Sequence, residues 1–414
     1  MLERAILLIS SSLFISAPGF ASAPTAPPLP APSGQIINVS TEPQLQQAFR
    51  SLTSNTTILI QPGTYRLTGT LHVSGSLNNV TVRGATNSRD DVVLLGPGMT
   101  DASVPNGIWT GGGVAQITIA NLTIRDFYNH CVILNAGTES PRLYNLRLLN
   151  AGQQIMKSNP DGVGGGVDDG VVEYSIIEYS TTSRDYYTNG VDVLGGRRWT
   201  IRHNLFRNIR APSGQLAGPA VLMWRGSADS VTEGNTFIDC QRAVAYGLDP
   251  TNPPDHAGGI IRNNFIYRKS AQPGDAGIIV FGSPNTVVAH NTVLLSGTYG
   301  AAIEYRFGQA TGVQIVNNLT DAAIVQRDGA SATVSGNYAQ ATAAMFVDAG
   351  SGDLHLIGSA TNAIDRGVDF GTLVPTDWDG QQRYQGDRPD IGADELGTLS
   401  GTPPASPQNL RIVR

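Results

Sequence analysis

The stretch Ala245-Tyr246-Gly247-Leu248-Asp249-Pro250-Thr251-Asn252-Pro253-Pro254-Asp255-His256 gathers a phenol, two carboxylates and an imidazole on a polar segment stiffened by prolines. Removing a proton from carbon needs a base that titrates near neutral pH and a partner acid, and Tyr246, His256, Asp249 and Asp255 are of those types. Arg210, Arg242, Lys269 and Arg306 flank the stretch in sequence, and Arg225 sits at a turn before it. An arginine fork binds a carboxylate through two parallel hydrogen bonds, so these cations could neutralise an acidic substrate. The alternative for the stretch is plain turn chemistry: Pro-Asp is common in turns, and His256 could cap a neighbouring loop.

The element that must position these groups is a repeat. Asn121-Leu122, Asn145-Leu146, Asn204-Leu205, Asn235-Thr236, Asn264-Phe265, Asn291-Thr292, Asn318-Leu319 and Asn337-Tyr338 recur along the chain. With Ser175-Ile176 as a degenerate copy, the period is roughly 24 to 31 residues until a shorter last step, which is the signature of a solenoid. No copy has a helical period. One coil parses as Gly190-Val191-Asp192-Val193-Leu194, then Trp199-Thr200-Ile201-Arg202-His203-Asn204, then Leu205-Phe206-Arg207. That is three short strands and two turns, with the asparagine expected in a left-handed backbone at the tight turn between the second and third strands. Stacked coils would let these amides bond one another, which explains their recurrence without a catalytic role.

Alternation along the first strands sends Val191 and Val193 inward and Asp192 outward. The coil before it, read as Gly166-Val167-Asp168-Asp169-Gly170, puts Asp168 in nearly the same outward row, and Asn135 ends the strand before that. Trp224 points outward with Arg225 at the turn, and Glu304 and Arg306 face outward if Ile303 and Tyr305 face inward. Two carboxylates stacked about 5 Å apart repel unless a proton or a cation such as Ca²⁺ intervenes, so Asp168 and Asp192 are candidate metal ligands; otherwise they are solvated surface charge. Trp224 offers a flat face for a sugar ring, or is covered by loops. The connections after the third strand vary most, and one carries Tyr187; such loops build the binding face of a solenoid.

Composition bounds the function. A net charge of −6, with Lys157 and Lys269 as the only lysines, argues against a nucleic-acid surface. Residues 1–23 read as a secretory signal, with Arg4 in the charged region, Ala5 to Ile15 apolar and cleavage near Ala23. The apolar run is shorter than the ~20 residues a membrane span needs. The mature protein is therefore expected to be secreted or periplasmic and monomeric. Cys131 and Cys240 lie about four coils apart, roughly 19 Å along the axis, and are expected as free, buried thiols. Residues 24–35 form a proline-rich linker, expected to be extended and mobile, and residues 396–414 a tail. Between them, Ser40 or Thr41 caps a helix carrying Leu45, Ala48, Phe49 and Leu52 on one face, which would plug the open end of the solenoid.

A helix followed by Thr57-Ile58-Leu59-Ile60-Gln61-Pro62-Gly63-Thr64-Tyr65-Arg66 and Val82-Arg83-Gly84 resembles the opening of right-handed parallel β-helix proteins of the pectate-lyase-like superfamily. Gly352-Asp353-Leu354-His355-Leu356, Ala363-Ile364-Asp365-Arg366-Gly367 and Arg388-Pro389-Asp390-Ile391-Gly392-Ala393-Asp394-Glu395 resemble the closing segment of secreted members. The resemblance covers residues 36–395 and implies an all-β fold, a single parallel β-helix with an N-terminal capping helix. Tyr246, Gly247, Asp249 and Pro250 are similar to the Tyr-Gly-x-Asp-Pro-His-Asp segment of mannuronan C5-epimerases, although here Asp255-His256 comes later and in reversed order. Lyases of alginate and chondroitin with this fold use a Lys and an Arg on neighbouring coils, often with Ca²⁺; Lys269 and Arg306 match that layout. Asp161 and Asp168-Asp169 are faintly similar to the acids of polygalacturonases, at too short a separation.

The expectation is a secreted lyase acting by β-elimination on a uronic-acid polysaccharide of alginate, pectate or glycosaminoglycan type. In it Tyr246, His256 or Lys269 takes the C5 proton, and arginines, with Ca²⁺ as the candidate cofactor, hold the carboxylate. A C5-epimerase, a glycoside hydrolase and a glycan-binding surface protein without turnover are the alternatives.

Overall fold

Parallel strands with residues alternating between core and solvent can close on themselves only through crossover connections, and that is how the chain folds. The computed structural model describes residues 25–163 and 165–397; the signal read in residues 1–23 and most of the tail lie outside them. Three parallel sheets run the length of the solenoid. The front sheet has ten strands, from Leu71–Ser74 to Ala323–Arg327; the back sheet has twelve, from Gln35–Val39 to Ala332–Ser335; the side sheet has ten, from Gly63–Arg66 to Leu319–Thr320. One coil is Val191–Leu194 in front, Thr200–Arg202 behind and Leu205–Arg207 at the side. Crossovers between parallel strands are right-handed almost without exception, and the fold is a right-handed parallel β-helix.

Register follows the apolar pattern. On the front sheet Val191, Val221, Val244, Ile278 and Ile303 pair in one inward file, and Val193, Met223, Tyr246, Val280 and Tyr305 in another. These side chains are buried in one continuous core with the inward residues of the other two sheets. A one-residue slip would turn both files out to water, so the register is strongly specified. Phe206 and Phe237 stack within it, ring centroids 4.8 Å apart.

The asparagine ladder exists, with a difference from expectation. From Asn204 through Asn235, Asn264, Asn291 and Asn318 to Asn337, each side-chain amide donates to the next Oδ1 at 2.9–3.0 Å. The left-handed residue is the one before it: His203, Asn263, His290 and Asn317 have φ of 52–56°. In the first coils Asn121 and Asn145 themselves take that position, at φ 55° and 50°. The turn has two places, one needing a left-handed backbone and one needing an amide, and asparagine serves either.

The helix Glu42–Arg50 is capped by Thr41, whose side chain accepts from Gln44 N, and it buries Leu45, Ala48 and Phe49 over the first coil. Both cysteines are free and buried. The proline-rich segment is extended but docked along the back sheet: Pro30 O accepts from Arg83 at 2.8 Å, Ser33 O from Thr57 at 2.9 Å, and Pro27 O from the Tyr144 hydroxyl. At the other end, residues 338–396 pack on the outside of the side sheet, where Trp378 stacks on Phe265 with centroids 5.0 Å apart. Among the described residues no helix is long and apolar enough to cross a membrane.

Candidate functional site

The outward file of the front sheet carries the chemistry. In register it reads His72, Trp109, Ile133, Lys157, Asp192, Leu222, Ala245, Ile279 and Glu304 on successive strands. The residue beside Asp192 is therefore Lys157, on the strand Met156–Ser158. Asp168 is elsewhere: it lies in the connection between the strands Met156–Ser158 and Val171–Glu173, where it accepts from Arg197 N at 2.8 Å and pairs with Arg198 at 3.1 Å. The stacked-carboxylate reading is thus corrected. The similarity of Gly166-Val167-Asp168 to Gly190-Val191-Asp192 hid the inserted loop and displaced the strand.

Lys157 is the centre of the site. Its Nζ lies 3.4 Å from Asp192 Oδ2 and 3.3 Å from the Tyr187 hydroxyl. Asp192 Oδ1 accepts from the Trp224 indole at 2.8 Å. Asp192 faces outward yet is only 1% exposed, because Lys157 and Trp224 cover it. Burial pushes its carboxyl above the ordinary range, and Lys157 and the indole N–H pull it back. Arg225 lies over the Trp224 ring at 4.6 Å and pairs with Asp249 at 3.6 Å. A continuous line of contacts runs Tyr187–Lys157–Asp192–Trp224–Arg225–Asp249 across the sheet, from the side-sheet connection to the loop before the back sheet. Long connections follow the strands at Met156–Ser158 and Val244–Tyr246, while the two front strands between them end in short turns.

Several expected site residues are not in this line. Tyr246 occupies an inward file, fully buried, with its hydroxyl on Thr232 at 3.1 Å and on Ile260 O at 3.2 Å, and burial raises its pKa far beyond physiological pH. His256 is also 0% exposed; its ring nitrogens meet Ser283 and Ser230 hydroxyls, its ring packs on Tyr246, and burial lowers its pKa to about 3. Neither can reach a polysaccharide. Asp255 is buried and holds its loop, accepting from Arg225 N, Leu248 N and Asp249 N. Arg210 bonds the carbonyls of Asp239 and Pro273, Lys269 pairs with Asp239 at 3.2 Å, and Arg242 pairs with Asp275 at 3.0 Å. These three sit on connections between the side and front sheets. Glu304 and Arg306 do face outward, but Glu304 is buried against Arg327 at 3.2 Å, and Arg306 pairs with Asp328 at the far edge of its strand from Lys269's connection.

Calcium does not fit the residues expected to hold it, since Asp192 already has an ammonium beside it and Asp168 an arginine. Among the described residues a group that could hold a metal is His355, Asp379 and Asp394, in the C-terminal segment. His355 Nδ1 meets Asp353 at 2.5 Å and Nε2 meets Asp379 at 3.1 Å. Although burial opposes it, those carboxylates raise the imidazole pKa to about 10, so it serves as the cluster's own cation.

Lys157 escaped the sequence reading because its strand is three residues long and has no asparagine turn of its own. Its signal was rarity: it is one of two lysines in the chain.

Residues 189–361 match the family model of the right handed beta helix region. An alginate lyase from Paenibacillus sp. str. FPU-7 is similar at a TM-score of 0.51 and 15% identity, covering 73% of this chain and 98% of that one. The pectate lyase Pel9A follows at 0.48 and 14%, covering 84% and 90%, and PfbA, a surface adhesin of Streptococcus pneumoniae, at 0.42 and 13%, covering 72% and 86%. A search of curated protein sequences found no match. The three sheets described above are those of a right-handed parallel β-helix, and the family model and the alginate lyase agree with that fold. Likeness at such identity speaks to the fold alone.

Proposed function

We propose that the protein is a polysaccharide lyase that cleaves a uronic-acid polymer by β-elimination at the front sheet. The observation that carries this reading is Lys157 Nζ held between the Tyr187 hydroxyl and the Asp192 carboxylate, beside Arg225 on its tryptophan. In β-elimination the C5 proton leaves, the C4–O bond breaks, a C4–C5 double bond forms and the departing oxygen takes a proton. Tyr187 is exposed and can approach the sugar; its oxygen accepts from Lys157 Nζ at 3.3 Å and is thereby placed to take the C5 proton. The resulting phenol can return that proton to the leaving oxygen. Asp192 fixes Lys157 from below, and Arg225 is placed to bind the uronate carboxylate and stabilise the enolate-like intermediate. Trp224 supplies a ring face beside it. The same fold in an alginate lyase supports the reading. The signal read in residues 1–23 belongs with it, since polymeric uronans lie outside the cytoplasm.

Incubation with alginate, pectate and glycosaminoglycans, followed at the ultraviolet absorbance of the unsaturated product, tests the proposal. Wild-type protein should generate product from at least one polymer, and Tyr187→Phe and Lys157→Ala should each lower kcat by about a hundredfold or more. Proton exchange at C5 without cleavage would point instead to an epimerase.

A further inference from the structure

The front sheet is open on one side of Lys157 and roofed on the other. Toward the C-terminal end the outward file is Leu222, Ala245 and Ile279, buried to 3% exposure or less. Leu248 from one flanking connection and Tyr299 from the other pack onto that strip. Toward the N-terminal end the file is Ile133, Trp109 and His72, one, two and three strands from Lys157, half-buried to exposed. The Trp109 indole lies down across its own strand: a Cβ on Gly111 would fall 2.7 Å from Trp109 Cη2. Gly111 does not adopt a positive φ, so the glycine is there for space and leaves room for the indole that lies over it. His72 stands next to it, ring centroids 5.3 Å apart. Beside this file, Asn159 donates to Asn135 Oδ1 at 2.9 Å and Asn135 to Thr110 O at 3.0 Å, a short amide row at the strand ends.

We propose that Trp109, with His72 beside it, is a sugar-stacking subsite that holds the uronan chain on the N-terminal side of Lys157, with the chain lying along the solenoid axis. The proposal rests on the lyase reading of Lys157 and adds direction and reach to it. Strands stack at about 4.8 Å, close to the advance of one pyranose along an extended chain, so a polymer on this file meets about one strand per sugar. Trp109 then lies about 10 Å from Lys157, under the second unit along. The indole face matches the C–H face of a pyranose, and the asparagine amides offer hydrogen bonds to hydroxyls and carboxylates. The Leu248–Tyr299 roof denies the opposite direction the same file.

Calorimetric binding of uronan oligomers of increasing length to the Lys157→Ala protein tests this without turnover. Fragments of the polymer that yields product are used, or alginate, pectate and chondroitin fragments in turn if none does. Affinity should rise once the oligomer is long enough to cover Trp109, and Trp109→Ala should remove that gain, about tenfold, while leaving dimer binding as it was. Gly111→Val, which pushes the indole off the sheet, should do the same, and Trp109→Phe should keep part of the gain. Equal affinity with and without Trp109 at every length, an equal loss for dimer and longer oligomers, or no binding of any fragment overturns the subsite. Product release that ignores Trp109→Ala on polymer and oligomer removes the subsite and leaves the lyase. Trp109-dependent binding without product does the reverse.

Discussion

Lys157 and Asp192 show how little a residue's own identity says about its role. Asp192 was visible as an outward carboxylate, because alternation between Val191 and Val193 fixes its direction. Its partner was not, because pairing across coils depends on where the neighbouring strand begins. Tyr246 and His256 drew attention as titratable groups close together in sequence, and they do touch, ring to ring at 4.3 Å, but inside the core. The signal against Tyr246 was already there: Val244-Ala245-Tyr246 continues the alternation of Val221-Leu222-Met223, which sends the tyrosine inward. At this scale Asp192→Asn is the informative change. An amide keeps the volume and an acceptor for the Trp224 indole but removes the charge that holds Lys157. It should lower kcat by about tenfold or more with a smaller change in KM. Equal kcat in the two proteins, measured on the same polymer, would show that Lys157 needs no such anchor.

Among the elements, the strands and the ladder were legible and the connections were not. Short strands of Val, Ile and Phe with period two declare themselves, and a recurring asparagine marks the turn. Connection lengths are set by nothing periodic, so Gly166 to Gly170, part of a connection, passed for a strand and moved Asp168 into a site it does not occupy. The helix at residues 42–50 was readable from its cap and its apolar face. The ladder makes a direct stability prediction. Asn264 donates to Asn291 Oδ1, Thr232 O and Arg262 O and accepts from the Asn235 backbone and side chain, all buried or partly so. Asn264→Ala strands donors above and acceptors below, and should cost at least ~2 kcal/mol, seen as a lower denaturation midpoint with little change in m-value. A change below about 0.5 kcal/mol would mean that water replaces the amide.

For the molecule as a whole, the two ends are fastened differently. The N-terminal end is plugged by an apolar helix, whereas the C-terminal segment packs apolar residues on Phe265, Leu294 and Leu319 of the side sheet and buries charged groups beside them. Arg383 is buried there and donates to Asn263 Oδ1 at 2.8 Å and to carbonyls of Gly392 and Ala393 at 3.1 Å. His355 sits between Asp353 and Asp379 with its pKa raised to about 10. In the unfolded chain a histidine releases its proton near pH 6.5, so the folded state binds more protons between there and about 10. The stabilisation from His355 is therefore complete below about pH 6.5 and is lost as pH rises toward 10. Melting temperature should fall across that window, and His355→Gln should flatten the fall; a profile identical in the two proteins would contradict it.

The central claim is that the front sheet performs elimination on a uronate at Lys157 and Tyr187. Ultraviolet absorbance of the unsaturated sugar, recorded on alginate, pectate and glycosaminoglycans with the wild-type, Lys157→Ala and Tyr187→Phe proteins side by side, tests it most directly. The account predicts absorbance growing with at least one polymer for the wild type and near baseline for both variants. No absorbance on any uronan, or full activity in either variant, would contradict it.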